Sequence, residues 1–268
     1  MKVSSILVSL QHVLENGASV QICEGALISN QQFLTAAHCF DGNYSLVDMV
    51  VRIGSDFQNT DGQLHGLSYV DIAPSYANDR NASVLHDDLA VVTLLSPLEV
   101  PGPWVQLARP NTLPEEASPV NLIGWDLASE KPAPAPWESE LSSQTLKMLL
   151  RDPKTCAVLG RDFGASPESC SSGAYSVGQA HWAGGPVVQY DAQTKQPRLV
   201  GIVYFWGSFE EEVFSFQNSL GSFTDWITEI RNLRYSRPSL ANPNLKGAVN
   251  CTKVVGYDWL DLPVIEPC

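Results

Sequence analysis

At 268 residues the chain has room for a sizeable core, in one larger domain or two small ones. Hydrophobic residues make up 44% and charged residues 17%, and acidic side chains outnumber basic ones by 29 to 16, for a formal charge of -13. This acidic balance argues against nucleic acid or an anionic membrane as partner, and no apolar run is long enough to span a bilayer as a helix.

In chain order, Met1-Lys2 with Ile6-Leu7-Val8 is too short and too soon interrupted by Gln11-His12 for a signal peptide, so the segment reads as strand. Val8 to Gln11 and Ser19 to Ile22 then form two short strands around Asn16-Gly17, a favourable hairpin dipeptide. Further strands are expected at Val50 to Gly54, Leu67 to Ile72 and Leu89 to Leu94, with turn residues between them and no amphipathic helix in this half. Pro97 to Pro114, with Pro101, Pro103 and Pro110 inside, reads as an extended connector. Beyond it lie strand candidates at Val120 to Trp125 and Arg198 to Val203, and a proline-rich loop over Lys131 to Trp137. Phe223, Trp226, Ile227 and Ile230 recur at helical spacing, with Ser222 placed to cap the helix.

The six cysteines, Cys23, Cys39, Cys156, Cys170, Cys251 and Cys268, lie far apart with no Cys-x-x-Cys pair, which suits scattered disulfides better than a zinc site. Sequons at Asn43, Asn81 and Asn250 agree with an oxidising, extracellular setting.

Three segments, Leu34-Thr35-Ala36-Ala37-His38-Cys39, Asp88-Leu89-Ala90-Val91 and Gly178 to Pro186, stand in an order that resembles the trypsin-like serine proteases. Cys23-Glu24-Gly25-Ala26-Leu27-Ile28 is similar to the family's Cys-Gly-Gly-x-Leu-Ile strand, and Gly124-Trp125-Asp126 to its Gly-Trp-Gly. The resemblance covers roughly residues 6 to 233. It implies an all-β fold of two antiparallel six-stranded β-barrels, over about 1–100 and 115–221, with a closing helix at 222–233 and a C-terminal extension at 234–268. It also implies a disulfide between Cys23 and Cys39 around the histidine, and a second-barrel loop framed by Cys156 and Cys170. The tail has no counterpart, and a Cys251 to Cys268 bridge is expected to strap it down.

The same comparison implies a degenerate site. His38 and Asp88 match the histidine and aspartate of the triad, with neighbouring Asp87 the less favoured partner, while Ala183 stands where the family has its serine. A methyl group has no lone pair and no proton to give up, so this position cannot perform nucleophilic acyl transfer. His181 replaces the glycine whose N–H helps bind the oxyanion, and Trp182 replaces the aspartate that pairs with the new amino terminus after zymogen cleavage. Val177 occupies the specificity position and implies an apolar pocket, rimmed by Phe205, Trp206 and Gly207 and by a loop over Phe209 to Phe214.

The resulting expectation is a secreted, non-catalytic protease homologue that binds an extracellular protein through the loops around its cleft, with no cofactor and no metal. Two other readings stand beside it: an active endopeptidase whose serine has been exchanged for Ala183, and a structural extracellular module whose cleft has no ligand.

Overall fold

The computed structural model describes residues 5–14, 16–41, 45–58, 61–79, 84–99, 104–112, 115–125, 143–162, 169–173, 183–191, 193–209, 212–233, 252–257 and 263–267. The first half contains β1 (Leu7–Val13), β2 (Ser19–Leu27), β3 (Gln32–Thr35), β4 (Met49–Ile53), β5 (Gln63–Ile72), β6 (Ala77–Asp79), β7 (Val84–His86) and β8 (Ala90–Leu94). The second contains β9 (Gln106–Leu107), β10 (Pro119–Trp125), β11 (Ser143–Leu150), α1 (Pro153–Asp162), β12 (Ser169–Gly173), β13 (Pro186–Tyr190), β14 (Pro197–Phe209), β15 (Glu212–Ser219) and α2 (Leu220–Leu233). The tail adds β16 (Thr252–Tyr257) and β17 (Pro263–Pro267).

The two implied barrels are both present. Strands β1-β2-β3-β8-β5-β4 close into the first, and β13-β10-β11-β12-β15-β14 close into the second through the pairing of β13 with β14. Closure removes the exposed strand edges of an open sheet. One departure from the all-antiparallel pattern is β9, which lies parallel to β14 with Gln106 opposite Arg198.

Period-two patterning decides which face turns inward. In β4, Met49, Val51 and Ile53 are buried while Val50 and Arg52 are half-exposed. In β1 both faces are covered: Leu7 joins an apolar cluster with Val187, Leu199 and Ile202 of the second barrel, and Val8 joins another with Phe33, Val92 and Phe216. The two barrels therefore share their packing, and side chains at the seam lie far from water. Burying one such aliphatic or aromatic side chain contributes about 1.5–3 kcal/mol.

Three local differences from the sequence reading have physical causes. The closing helix begins at Leu220, two residues before the expected start, and Ser222 lies exposed inside it and is not its cap. Here β15 runs into the helix without a loop, and the Asn111 N–H donates to the Gly221 carbonyl at 2.9 Å, so the connector fixes the first turn. A second helix, α1, runs from Pro153 to Asp162, carries Cys156 and enters the stretch between Cys156 and Cys170 where a loop was expected. Its signal was Asp152-Pro153: Asp152 Oδ1 accepts the N–H groups of Lys154 and Thr155 at 2.9 and 3.0 Å, and proline is preorganised for the first helical position. Finally, the segment expected as a loop over Phe209 to Phe214 is a hairpin. Phe209 pairs with Glu212, and Val213 and Phe214 are buried strand residues.

Cys23–Cys39 and Cys156–Cys170 are disulfides, with Cα atoms 6.2 and 5.5 Å apart. In the tail, β16 and β17 pair antiparallel with Thr252 opposite Pro267. Cys251 and Cys268, the chain neighbours of that pair, lie outside the described residues, as do the sequon residues Asn43, Asn81 and Asn250. Among the described residues no helix is long and apolar enough to cross a membrane.

Candidate functional site

The site is built where β3 ends. After Thr35 the chain stays extended through Ala36 and then tightens into a short 3-10 turn, Ala37–Phe40, which turns His38 out of the barrel wall. Ala36 and Ala37 have no exposed surface, so the turn has little room for larger side chains. The Cys23–Cys39 bridge ties the turn back to β2.

Asp88 is fully buried just before β8. Its Oδ2 lies 2.6 Å from His38 Nδ1, and its Oδ1 accepts the His38 backbone N–H at 2.8 Å. Both carboxylate oxygens thus hold one residue. A proton on Nδ1 bridges to Asp88 Oδ2, which leaves Nε2 on the far side of the ring. From the second barrel, Asn218 Nδ2 donates to the Asp88 carbonyl at 2.6 Å. Asp87 takes no part in the pair: its backbone is left-handed, with φ 52°, and its carboxylate faces His86.

Electrostatics at His38 oppose one another. Burial pulls its pKa down, but the charge and hydrogen bond of Asp88, together with the charge of Asp41, outweigh burial and hold it above the ordinary histidine value. Asp41 is itself anchored by the Tyr76 hydroxyl, which donates to it. The pair is therefore an imidazole held in one orientation and biased toward its protonated form.

The turn bearing Ala183 is fastened to both barrels. The Glu24 N–H of β2 donates to the Ala183 carbonyl at 2.7 Å, the Gly184 N–H donates to the Val203 carbonyl at 2.7 Å, and the Val203 N–H returns a bond to Gly185 at 2.9 Å. Gly184 has φ 89°, and a Cβ there would overlap the Glu24 carbonyl and Thr35 Oγ1. Only glycine satisfies both constraints. Ala183 is half-buried and packs against the same cluster as Ala36 and Cys39, which bracket the histidine motif. The fold therefore brings the Ala183 turn against the segment that leads into His38. His181, Trp182 and Val177 lie outside the described residues.

Phe205, Trp206 and Gly207 lie on β14. Phe205 is half-buried, with its ring 5.9 Å from that of Phe216, and Trp206 is half-buried against the shared core.

One residue at the site escaped the sequence reading. Glu24 is fully buried, and its Oε1 accepts the Trp125 N–H at 2.8 Å across the barrel seam. A Cβ on Gly124 would sit 2.5 Å from its Oε2. Burial pushes its pKa up to about 8, against smaller opposing effects of the Trp125 N–H and the Gln21 side chain. The signal was present in the sequence, because Glu24 stands at the first glycine of the Cys-Gly-Gly pattern.

Among the described residues the grouping of potential metal ligands is Cys23, His38 and Cys39, and both of its sulfurs are committed to the disulfide. Chemically, what stands together is an oriented imidazole, a buried carboxylate and a rigid turn.

A family model described as Trypsin matches residues 4–227. The chain is 26% identical over 198 residues to a trypsin of Sarcophaga bullata, across 73% of this chain and 72% of that protein. It is 39% identical over 72 residues to trypsin, alkaline B of Manduca sexta, across 27% of this chain and 26% of that one. With serine protease 56 of Mus musculus it shares 25% identity over 253 residues, 90% of this chain but 39% of the mouse protein. With the double barrel, the His38–Asp88 pair and a family match over most of its length, the chain belongs to the trypsin-like serine protease family.

Proposed function

We propose that the chain is a secreted, non-catalytic serine protease homologue that acts by binding another extracellular protein through the loops around its cleft. The observation that carries this reading is Ala183, whose carbonyl accepts the Glu24 backbone N–H, in a chain that keeps an intact His38–Asp88 pair. Proton transfer by an oriented histidine accelerates acyl transfer only when it has a nucleophile to activate, and a methyl group is not one. The sequence changes at His181 and Trp182 point the same way, because they replace the oxyanion glycine and the activation aspartate. The relatives are named as proteases, so on this reading the architecture persists and the chemistry has been lost.

Two disulfides support an oxidising compartment. A rigid double barrel presenting loops is suited to recognition, and Phe205 and Trp206 offer half-buried aromatic surface of the kind that anchors interfaces. Val177, at the specificity position, and Gly207, on the rim, complete the proposed pocket, and the partner is a protein rather than nucleic acid or membrane. The test is affinity capture from the native extracellular fluid, comparing wild type with Trp182→Ala and Phe205→Ala variants of unchanged thermal stability. A partner retained by wild type and lost by the variants is expected. No reproducible partner, or one indifferent to both substitutions, would overturn the binding role.

A further inference from the structure

The buried glutamate at the seam has a role that neither the fold nor the proposed binding function requires. A glycine, as in the family pattern, would leave the backbone clasp in place, since the Glu24 N–H to Ala183 bond and the Thr35 Oγ1 to Glu24 carbonyl bond (2.6 Å) need no side chain. The carboxyl adds a second link, from β2 of the first barrel to the Trp125 N–H of β10 in the second. Glu24 Oε2 is buried without a hydrogen-bond partner.

Among the described residues the neighbours on each side are uncharged. On its own strand the Gln21 side chain reaches the carboxyl; β10 presents Gly124 and the Trp125 N–H, β3 presents Thr35, and the turn presents Ala183 and Gly184. Among the described residues no charged side chain is a cause of its shift, and His38, in the turn that follows β3, is engaged by Asp88. Gln21 continues into a buried polar chain. Ser9 Oγ donates to Gln21 Oε1 at 2.6 Å, Gln11 Nε2 donates to Ser9 Oγ at 2.9 Å, and Ser19 Oγ donates to Gln11 Oε1 at 2.6 Å. A carboxylate at this place would have the Trp125 N–H and the Gln21 side chain as hydrogen-bond partners and, among the described residues, no counter-ion. The neutral carboxylic acid is the less costly form there, because burial penalises the charged one.

We infer that Glu24 is a proton-operated brace: neutral, it locks the two barrels together beneath the Ala183 turn, and on losing its proton to solvent it opens the seam and frees that turn. The device stands whether or not the cleft binds a partner. The raised pKa agrees with the geometry and sets the working range. The open seam ionises near the ordinary value of 4.5 and the closed seam only near 8, so the open population grows about tenfold per pH unit between these limits and levels off above them.

The experiment is amide hydrogen exchange on the full chain, corrected for intrinsic rates, from pH 5 to 9. The reporters are the Glu24, Gly184 and Trp125 amides, whose acceptors are Ala183, Val203 and Glu24 Oε1. The Leu94 amide, bonded to Gln31 within the first barrel, is the control. The expected result is seam protection falling about tenfold per pH unit up to pH 8, always below that of Leu94, with the slope abolished in Glu24→Gln. Flat protection in wild type, an unchanged slope in Glu24→Gln, or seam and control amides exchanging together would overturn the proposal. If Glu24→Gln does not fold, ¹³C titration of wild type decides it. One glutamate carboxyl should titrate near pH 8, and a full set titrating below pH 6 would overturn the brace.

Discussion

Gly184→Ala probes how rigidly the site is built. Its left-handed backbone costs any L-residue about 1–2 kcal/mol. The added methyl would overlap two atoms that are already bonded to each other, the Glu24 carbonyl and Thr35 Oγ1. Neither atom can retreat alone. Moving them breaks that bond and loosens the Glu24 N–H to Ala183 bond, each contributing about 1 kcal/mol net and more where a buried group is left unpaired. The total is about 3–6 kcal/mol. Gly54 is the matched control: it has φ 78° but nothing within 4 Å of an added Cβ, so Gly54→Ala should cost only the backbone term, about 1–2 kcal/mol. Urea denaturation of the three proteins, with equal m-values, measures the difference. Equal losses at the two positions would refute the claim that the Ala183 turn is clamped between the barrels.

Other predictions follow from the buried charges and the tail. Because the folded state holds the Glu24 proton to about pH 8 and the unfolded chain releases it near 4.5, its stabilising effect is complete below 4.5 and is lost as pH rises to about 8. The full loss is about 5 kcal/mol, so global stability should decline across that window in wild type and stay nearly level in Glu24→Gln. Asp88→Asn should lower the His38 pKa, since the Asp88 charge and hydrogen bond hold it up, and should cost about 3 kcal/mol of stability. Proton NMR of the His38 ring checks the first, and an unmoved midpoint would contradict it. Non-reducing peptide mapping should find Cys251 joined to Cys268, given the register of Thr252 with Pro267; either cysteine alkylated as a free thiol would contradict that pairing.

Much of the architecture was legible because strand-forming segments are short, alternate in polarity and are punctuated by turn residues, as in Met49–Ile53. The three motifs placed His38, Asp88 and Ala183 on elements that the fold brings together, and the choice of Asp88 over Asp87 needed only its position before β8. Contacts distant in sequence were less legible. The helix start at Leu220 depends on the connector residues Asn111 and Thr112, about a hundred positions away. The Phe209 to Phe214 segment reads as an acidic loop until its strand partners are known. Glu24 looked like one more substitution, because its burial is created by Gly124 and Trp125 of the other barrel. Helix α1 is different: Asp152-Pro153 announced it locally, and a strand-dominated pattern around it obscured the signal.

The central claim is that this site has an oriented histidine and nothing for it to activate. A fluorophosphonate probe tests it most directly, read together with casein hydrolysis on wild type and His38→Ala. The account predicts no specific labelling and no hydrolysis above the His38→Ala background. Labelling and turnover that disappear in His38→Ala would show that a nucleophile exists and would contradict it.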